Sequence, residues 1–136
     1  MMRRVYLDSC FIIYLMEDTP VFSAAARQFI AANAAALFCI SSLVRLEVLV
    51  RPMREGNTEL VKDYEDFLSL HICLPMTDAV FDQALRLRAR HRLKTPDALH
   101  LAAAQCHGCT EFWTNDNRLR DVAGMMVVNI LAGVGS

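Results

Sequence analysis

The stretch RRVYLDSCFIIYL, residues 3–15, contains a single acidic residue between two apolar runs. Val5 to Leu7 has the β-branched and aromatic composition of a buried strand, and the residues from Phe11 onward suit a helix. Asp8 lies at the junction of the two segments. An unpaired buried carboxylate costs several kcal/mol, so Asp8 either faces water, caps the helix, is protonated or binds a cation. Which of these roles applies depends on whether other acidic residues of the chain lie near Asp8.

Length and composition indicate one compact domain. The chain has 136 residues, of which 54% are hydrophobic, and a formal net charge of −1. This length is enough to bury one core without disulfide bonds, so we predict a single domain over residues 1–136. The small net charge gives no overall nucleic-acid signature, although a local basic patch is enough to bind RNA.

The N-terminus resembles a signal peptide only superficially, because Asp8 interrupts its apolar run and the acidic sequence MEDTP follows. The longest uncharged run, residues 28–44, has 17 residues and includes polar ones. A membrane-spanning helix needs about 20 apolar residues. We therefore expect a soluble, cytoplasmic protein that makes no use of a membrane.

The five cysteines form an odd set scattered among apolar neighbours, which is typical of reduced thiols. The sequence CHGC, residues 106–109, has C-x-x-C spacing but closes a predicted helix, with Gly108 as its stop. A redox pair would open a helix, and structural zinc would need a second Cys/His pair, so we favour neither role.

Strand-like and helix-like segments alternate along the chain. The predicted strands are residues 3–7, 36–40, 71–74, 111–114 and 125–130. The predicted helices cover residues 9–16, 20–34, 42–56, 58–70, 78–91 and 96–106, with a short helical turn between the last two strands. Thr19-Pro20 and Thr95-Pro96 each supply a cap followed by proline at the first helical position. This alternation predicts an α/β fold, a three-layer α/β/α sandwich with a central, mainly parallel sheet of about five strands.

Functional sites in such sheets lie beyond the carboxyl ends of the strands. One group of acids occupies these ends or the helix starts that follow them: Asp8, Glu47, Asp97 and Asp116. Each has a local explanation. Asp8 could cap the first helix, Glu47 could pair with Arg51, Asp97 could complement its helix dipole, and Asp116 could close an Asx-turn.

If the four acids lie close together, their mutual repulsion must be compensated. At a separation of ~5 Å and an effective dielectric of about 20, each pair of carboxylates repels by roughly 3 kcal/mol. The sum over all pairs would exceed the 5–15 kcal/mol that typically stabilises a domain, so a converged cluster must carry extra protons or bind a cation. Oxygen ligands with open water positions suit Mg²⁺ or Mn²⁺, whereas zinc usually recruits His or Cys.

The sequences around these acids resemble the four acidic motifs of PIN-domain ribonucleases, most closely the VapC-like toxins of bacterial toxin–antitoxin pairs. The motifs are VYLDSCFIIYL, SSLVRLEVL, TPDALHLAAA and FWTNDNRL. The resemblance covers essentially the whole chain. It implies that Asp8, Glu47, Asp97 and Asp116 are catalytic and metal-binding, with Ser9 and Thr114 as hydroxyl residues supporting them. It also implies a homodimer, a cognate antitoxin and an RNA substrate.

The chemistry expected of such a site is hydrolysis of a phosphodiester bond by a metal-activated water, without a protein nucleophile. Basic residues that could hold the RNA precede Asp97 in the sequence RLRARHRLK. They are Arg86, Arg88, Arg90, Arg92 and Lys94. The same charges also suit a solvated helix C-terminus, and the sequence does not separate the two interpretations. For His100, among apolar neighbours, we favour a hydrogen-bonded core position over substrate contact.

Two further interpretations remain open. The acids could be structural, in a PIN-like module that binds RNA or protein without cleavage. The enzyme could instead be a DNA or flap-type nuclease. Apolar residues in FIIYLM and LVRLEVLV exceed what one small core obviously needs, and a dimer interface or an antitoxin groove would use the remainder.

Overall fold

Five parallel strands form the centre of the molecule in the computed structural model, which describes residues 3–130 apart from the side chain of Met125. The strands are β1 (Arg4–Leu7), β2 (Leu37–Ser41), β3 (Ile72–Leu74), β4 (Glu111–Thr114) and β5 (Val127–Asn129). They pair in the order β3-β2-β1-β4-β5, and every pairing is parallel. The predicted three-layer α/β/α fold with a parallel sheet of about five strands is confirmed.

Helices fill the connections between the strands. They are α1 (Ser9–Met16), α2 (Phe22–Ala32), α3 (Ser42–Arg54), α4 (Thr58–Ser69), α5 (Asp78–His91), α6 (Thr95–Cys106) and the short α7 (Arg120–Ala123). Short polar side chains cap several of them. Ser41 accepts the backbone N–H of Val44, and Thr77 accepts that of Val80. These caps explain why α3 and α5 begin where the sequence predicts.

The core surrounds β1 and β4, which lie side by side in the sheet. Tyr6 of β1 and Phe112 of β4 are fully buried and stack with ring centroids 5.3 Å apart. Trp113, also fully buried, points its ring at Phe11 and Phe29 in edge-to-face contacts. Aromatic pairs of this kind hold β1 and β4 rigidly, and both strands end at the candidate site.

Many of the predicted boundaries differ from the observed ones by one or two residues. Three of the differences concern helix starts and the last strand. Helix α2 begins at Phe22, not at Pro20, because Ser23 Oγ accepts the backbone N–H of Thr19 and donates to the carbonyl of Glu17, closing a turn. Helix α6 has Lys94 at its N-cap position, and Thr95 is its first residue. The predicted last strand shortens to Val127–Asn129, because Gly124–Met126 forms a 3₁₀ turn.

The cysteine sequence CHGC closes α6 as predicted. The helix ends at Cys106, and Gly108 follows with a φ of +74°. In residues 3–130, the metal-capable side-chain group includes neither Cys106 nor Cys109. Within the same residues, every helix is too short or too polar to cross a membrane.

Candidate active site

The carboxyl ends of β1 and β4 bring two of the predicted acids to one edge of the sheet. Asp8 directly follows β1, and Asp116 lies two residues beyond the end of β4. Glu47 comes from the second turn of α3, and Asp97 from the first turn of α6. Because β1 and β4 are hydrogen-bonded neighbours, the strand ends fix the relative positions of Asp8 and Asp116.

Thr114, the last residue of β4, joins these two acids. Its hydroxyl donates to Oδ2 of Asp8 at 2.9 Å and accepts the backbone N–H of Asp116 at 3.1 Å. Oδ1 of Asp8 accepts the backbone N–H of Ser9 at 2.8 Å, with Ser9 Oγ at 3.5 Å. Asp8 therefore caps α1, as one of its local explanations proposed, and both of its oxygens are hydrogen-bonded by Ser9 and Thr114.

Asp116 is held by a residue that the sequence interpretation missed. Its Oδ1 accepts the backbone N–H of Arg118 at 2.9 Å, which is the predicted Asx-turn, and its Oδ2 lies 2.7 Å from the Arg118 guanidinium. The side-chain hydrogen bond from Arg118 outweighs the effect of burial and lowers the pKa of Asp116. The spacing of an acid and an arginine two residues apart in NDNR was the available signal for this pair.

Glu47 is paired with a buried histidine. Its Oε1 lies 2.5 Å from Nε2 of His100, whose side chain is 2% exposed. Burial raises the pKa of Glu47, but the hydrogen bonds from His100 and Ser9 and the His100 charge outweigh it, so the pKa is lowered overall. Nδ1 of His100 is 2.7 Å from the hydroxyl of Tyr6. The expectation of a hydrogen-bonded core histidine is confirmed.

The alternative pairing of Glu47 with Arg51 is wrong. Arg51 instead forms ion pairs with Glu17, at the end of α1, and with Glu55, one turn later in its own helix. Glu47 instead pairs with His100, and its carboxylate lies within 4.8 Å of a ligand atom of Asp8.

The pKa of Asp97 reflects the charges of the acids around it. Its partial burial and the negative charges of Asp8 and Asp116 raise the pKa of Asp97, and His100 and Arg118 offset only part of this effect. A carboxylate whose pKa is raised by two other acids lies in an excess of negative charge. A cation bound among these carboxylates would offset the excess of negative charge and stabilise the site.

The side chains present fit a divalent cation. Ligand atoms of Asp8, Glu47 and His100 all lie within 4.8 Å of one another, and the two carboxylates are half-buried. Asp97 is not part of this group. Burial and the charges of Asp8 and Asp116 raise its pKa, and its carboxylate offers a further oxygen donor at the same edge of the sheet. A donor set dominated by carboxylate oxygens suits Mg²⁺ or Mn²⁺.

A cleft of about 330 Å³ adjoins these acids. Asp97 and Asp116 line one part of it, and Arg92, Lys94 and Arg118 bring positive charge to the same cleft. Such a cleft can accept a phosphate chain while placing it next to carboxylates.

The predicted basic patch divides into two parts. Arg92 and Lys94 line the cleft, whereas Arg86, Arg88 and Arg90 are exposed side chains of α5 outside its lining. Nε of Arg86 donates to the side chain of Gln83, and Nε of Arg88 donates to the carbonyl of Leu93. The helix C-terminus therefore accounts for part of the charge. Of the five predicted basic residues, only Arg92 and Lys94, which follow α5, line the cleft with Asp97 and Asp116.

The sequence pattern of the PIN domain matches residues 5–125. The chain belongs to the PIN domain family. The match includes all four acids, and it confirms the resemblance predicted from their motifs. A comparison with curated protein sequences finds none that matches this PIN domain.

Solved structures similar to this PIN domain include proteins of toxin–antitoxin pairs. A toxin–antitoxin complex from Klebsiella pneumoniae contains a chain 26% identical, with a TM-score of 0.74 over 93% of this chain and 97% of that chain. VapC20 of Mycobacterium tuberculosis, a sarcin-ricin loop cleaving toxin, is 15% identical, with a TM-score of 0.75 over 90% and 98% of the two chains. VapBC2 of Rickettsia felis, bound to a DNA fragment from its promoter, is also 15% identical, with a TM-score of 0.74 over 93% and 98%. At 15% identity, the last two show the shared fold alone.

Proposed function

We propose that this PIN domain is a divalent-metal-dependent endoribonuclease and the toxin of a toxin–antitoxin pair. The observation that carries the proposal is geometric: ligand atoms of Asp8, Glu47 and His100 lie within 4.8 Å of one another at the strand ends. Burial and the nearby charges of Asp8 and Asp116 also raise the pKa of Asp97. In a domain that bound no cation, repulsion among these carboxylates would lower the free energy of unfolding, and nothing would compensate for the loss. We assign catalytic and metal-binding roles to Asp8, Glu47, Asp97 and Asp116.

The metal would be Mg²⁺ or Mn²⁺, held by these carboxylates. When bound, such an ion lowers the pKa of a coordinated water and offsets charge on a scissile phosphate. The protein residues orient the ligands. Ser9 and Thr114 hold Asp8 from both of its oxygens, and His100 holds Glu47. Preorganised ligands of this kind lose little entropy when they bind an ion.

RNA would enter through the basic side of the cleft. Arg92 and Lys94 provide phosphate contacts that carry no sequence information, next to Asp97. Phosphate contacts position the backbone, so the scissile bond would lie against the acids. The toxin from Mycobacterium tuberculosis cleaves the sarcin-ricin loop. That chain is only 15% identical to this one, so the support for RNA as the substrate class here comes from the resemblance of the four acidic motifs to those of PIN-domain ribonucleases. A cytoplasmic location belongs to the same proposal.

The same proposal includes two protein partners. The similar chain from Klebsiella pneumoniae forms part of a toxin–antitoxin complex, which supports a cognate antitoxin here. A homodimer is supported by an apolar stripe on the outer face of α3. Leu46, Val50 and Met53, spaced for one helix face, are 58%, 47% and 64% exposed. Contiguous exposed apolar side chains of this kind are characteristic of protein interfaces. By contrast, the apolar residues of α1 are buried or partly buried against the core.

Metal-dependent cleavage tests the proposal. Purified protein is incubated with a structured RNA and with DNA of the same sequence, first in EDTA and then with Mg²⁺ or Mn²⁺ restored. We expect RNA cleavage only with metal, leaving 5′-phosphate ends, and no cleavage by an Asp8→Asn variant. Asp18→Asn is the matched control, because the Asp18 side chain is 96% exposed and pairs with Arg27 outside the cluster.

Each alternative function gives a different result. RNA that binds but stays intact with either metal indicates a binding module. Cleavage restricted to DNA indicates a DNA nuclease. An Asp8→Asn variant that cuts RNA at the wild-type rate contradicts the assignment of the acids.

A further inference from the structure

A chain of buried polar side chains lies behind Glu47. The hydroxyls of Ser41 and Tyr6 are 2.8 Å apart, and the Tyr6 hydroxyl is 2.7 Å from Nδ1 of His100. Nε2 of His100 reaches Oε1 of Glu47 at 2.5 Å. Ser41 and Tyr6 are fully buried, and His100 is 2% exposed. The chain thus runs from the end of β2, through β1, to a carboxylate of the candidate site.

The hydrogen bonds assign a direction to this chain. Ser41 Oγ accepts the backbone N–H of Val44 as the cap of α3, so its own proton is free to donate to Tyr6. In the neutral imidazole, Tyr6 donates to Nδ1 and the ring proton lies on Nε2. In the protonated imidazole, Nε2 also carries a proton, so in both forms Nε2–H donates to Glu47. The opposite arrangement would place the lone pair of Nε2 against the carboxylate, which is repulsive.

The polar chain exceeds what packing requires. The ring of Tyr6 already stacks on Phe112, with an interplanar angle of 7°, and this contact does not use the hydroxyl. Phenylalanine could make the same contact without burying an oxygen. Buried polar networks specify one side-chain arrangement when they are fully satisfied. Here the arrangement that they specify is that of Glu47.

We propose that His100, fixed by Tyr6 and Ser41, is a positioning residue that orients the Glu47 carboxylate for divalent-metal binding. The inference rests on the proposed function. Donation from Nε2 uses one lone-pair site of Oε1, and a carboxylate offers about four such sites, so the remaining ones stay available to a cation. Removal of such supporting hydrogen bonds typically weakens metal binding about 10- to 100-fold.

Mn²⁺ affinity, measured by calorimetry on the full chain, tests the inference without any need for RNA. His100→Leu removes the donor and is expected to weaken Mn²⁺ binding about 10- to 100-fold. His100→Gln keeps an N–H that can reach Glu47, and affinity should recover to within a small factor of wild type. Tyr6→Phe retains the stacked ring but frees Nδ1, and we expect about tenfold weaker binding.

Tyr64→Phe is the matched control. Tyr64 is also fully buried, and its hydroxyl donates to the carboxylate of Glu17 at 2.5 Å, away from the acids of the site. This variant should lose thermal stability but bind Mn²⁺ with wild-type affinity. A merely structural role for Tyr6 would give both phenylalanine variants the same behaviour.

The possible results separate this inference from the proposed function. If the wild-type protein binds no Mn²⁺, both are overturned. If it binds Mn²⁺ and the His100→Leu and Tyr6→Phe variants bind equally well, the positioning role alone is overturned. Pulsed electron paramagnetic resonance of the Mn²⁺ complex should show no directly coordinated imidazole nitrogen. A strongly coupled nitrogen that disappears in His100→Gln would make His100 a ligand and overturn the positioning role.

Discussion

The hydroxyl of Thr114 lies 2.9 Å from Oδ2 of Asp8, across the junction of two neighbouring strands. Thr114 is fully buried, and the same oxygen accepts the backbone N–H of Asp116. One hydroxyl therefore sets the positions of two acids that are 108 residues apart in the sequence. The relationship exists only because β1 and β4 are adjacent in the sheet.

Replacing Thr114 with valine should damage both stability and metal binding. The substitution keeps the shape of the side chain but leaves the Asp116 N–H and an Asp8 oxygen without this partner. We expect a loss of about 1–3 kcal/mol in the free energy of unfolding, measured by denaturant titration. Mn²⁺ affinity should fall about 10- to 100-fold.

Thr110→Val is the control for this substitution. Thr110 is exposed, and its hydroxyl donates to the carbonyl of Arg4 at 3.2 Å, at the opposite end of β4. Its replacement should change stability by no more than about 0.5 kcal/mol and leave metal affinity unchanged. Equal metal affinity in the Thr114→Val variant and the wild type would contradict the role assigned to the threonine.

Asp97→Asn should stabilise the metal-free protein while abolishing cleavage. The pKa of Asp97 is raised in the folded state by burial and by Asp8 and Asp116. A raised carboxylate pKa contributes stability below the unfolded pKa of about 3.9, and this contribution is lost as pH rises through the folded value. At pH 7 the substitution should therefore add a few tenths of a kcal/mol, because solvent screens a half-exposed group.

Unfolding of both proteins in EDTA as a function of pH measures this effect. The stability difference should vanish at acid pH and grow as pH rises past the pKa of Asp97. With saturating Mn²⁺ the order should reverse, since ligand binding stabilises only the protein that binds it. A metal-free Asp97→Asn variant less stable than wild type at pH 7 would show that the acids do not repel.

Arg118→Ala should affect metal and RNA in opposite directions. The Arg118 guanidinium neutralises Asp116 and lowers its pKa, so it competes with any cation for that carboxylate. Its removal should tighten Mn²⁺ binding by about two- to fivefold, as expected for a solvent-exposed ion pair. RNA binding should weaken, because the same side chain lines the cleft. Calorimetry with Mn²⁺ and fluorescence anisotropy with labelled RNA measure the two effects, and a loss of both affinities contradicts the competition.

The sequence predicted the fold, and the location of two acids at strand ends, better than it predicted the contacts of the acids. Asp8 and Asp116 could be placed because each follows a strand, and parallel strands end at one edge of a sheet. The contact between Glu47 on α3 and His100 on α6 joins two residues that are 53 positions apart in the sequence. No local pattern encodes it, since it depends on how α3 and α6 rest on the sheet.

Local hydrogen bonds and backbone turns explain two further differences between the predicted and the observed structure. Thr19-Pro20 has the composition of a helix start, but the Ser23 hydroxyl holds that segment in a turn. The run from Arg86 to Lys94 appears uniform in sequence. The chain leaves α5 at Arg92, which has a φ of +51°, and this turn separates the residues on the helix from those in the cleft.

The cleft and helix parts of the basic patch should differ in RNA binding. Alanine replacement of Arg92 and Lys94, which line the cleft, should weaken binding uniformly across RNA sequences. Each lost phosphate contact should reduce the slope of log affinity against log salt by about 0.7 to 0.9. The matched control replaces Arg86 and Arg90, which are exposed on α5 outside the cleft lining. Anisotropy titrations at several salt concentrations compare the two pairs, and equal losses from both contradict the role of the cleft.

The exposed stripe on α3 should form the interface of the proposed homodimer. In an isologous interface each stripe meets its own copy, so a single charged substitution places like charges opposite each other. Leu46→Glu combined with Met53→Glu should therefore convert a dimer to a monomer in sedimentation velocity, with unchanged helix content by circular dichroism. Leu70→Glu provides the control, because Leu70 is 78% exposed at the end of α4, outside the α3 stripe. A wild-type chain that stays monomeric at high concentration would show that the proposed dimer does not form. A doubly substituted chain that stays dimeric would show that the α3 stripe does not form the interface.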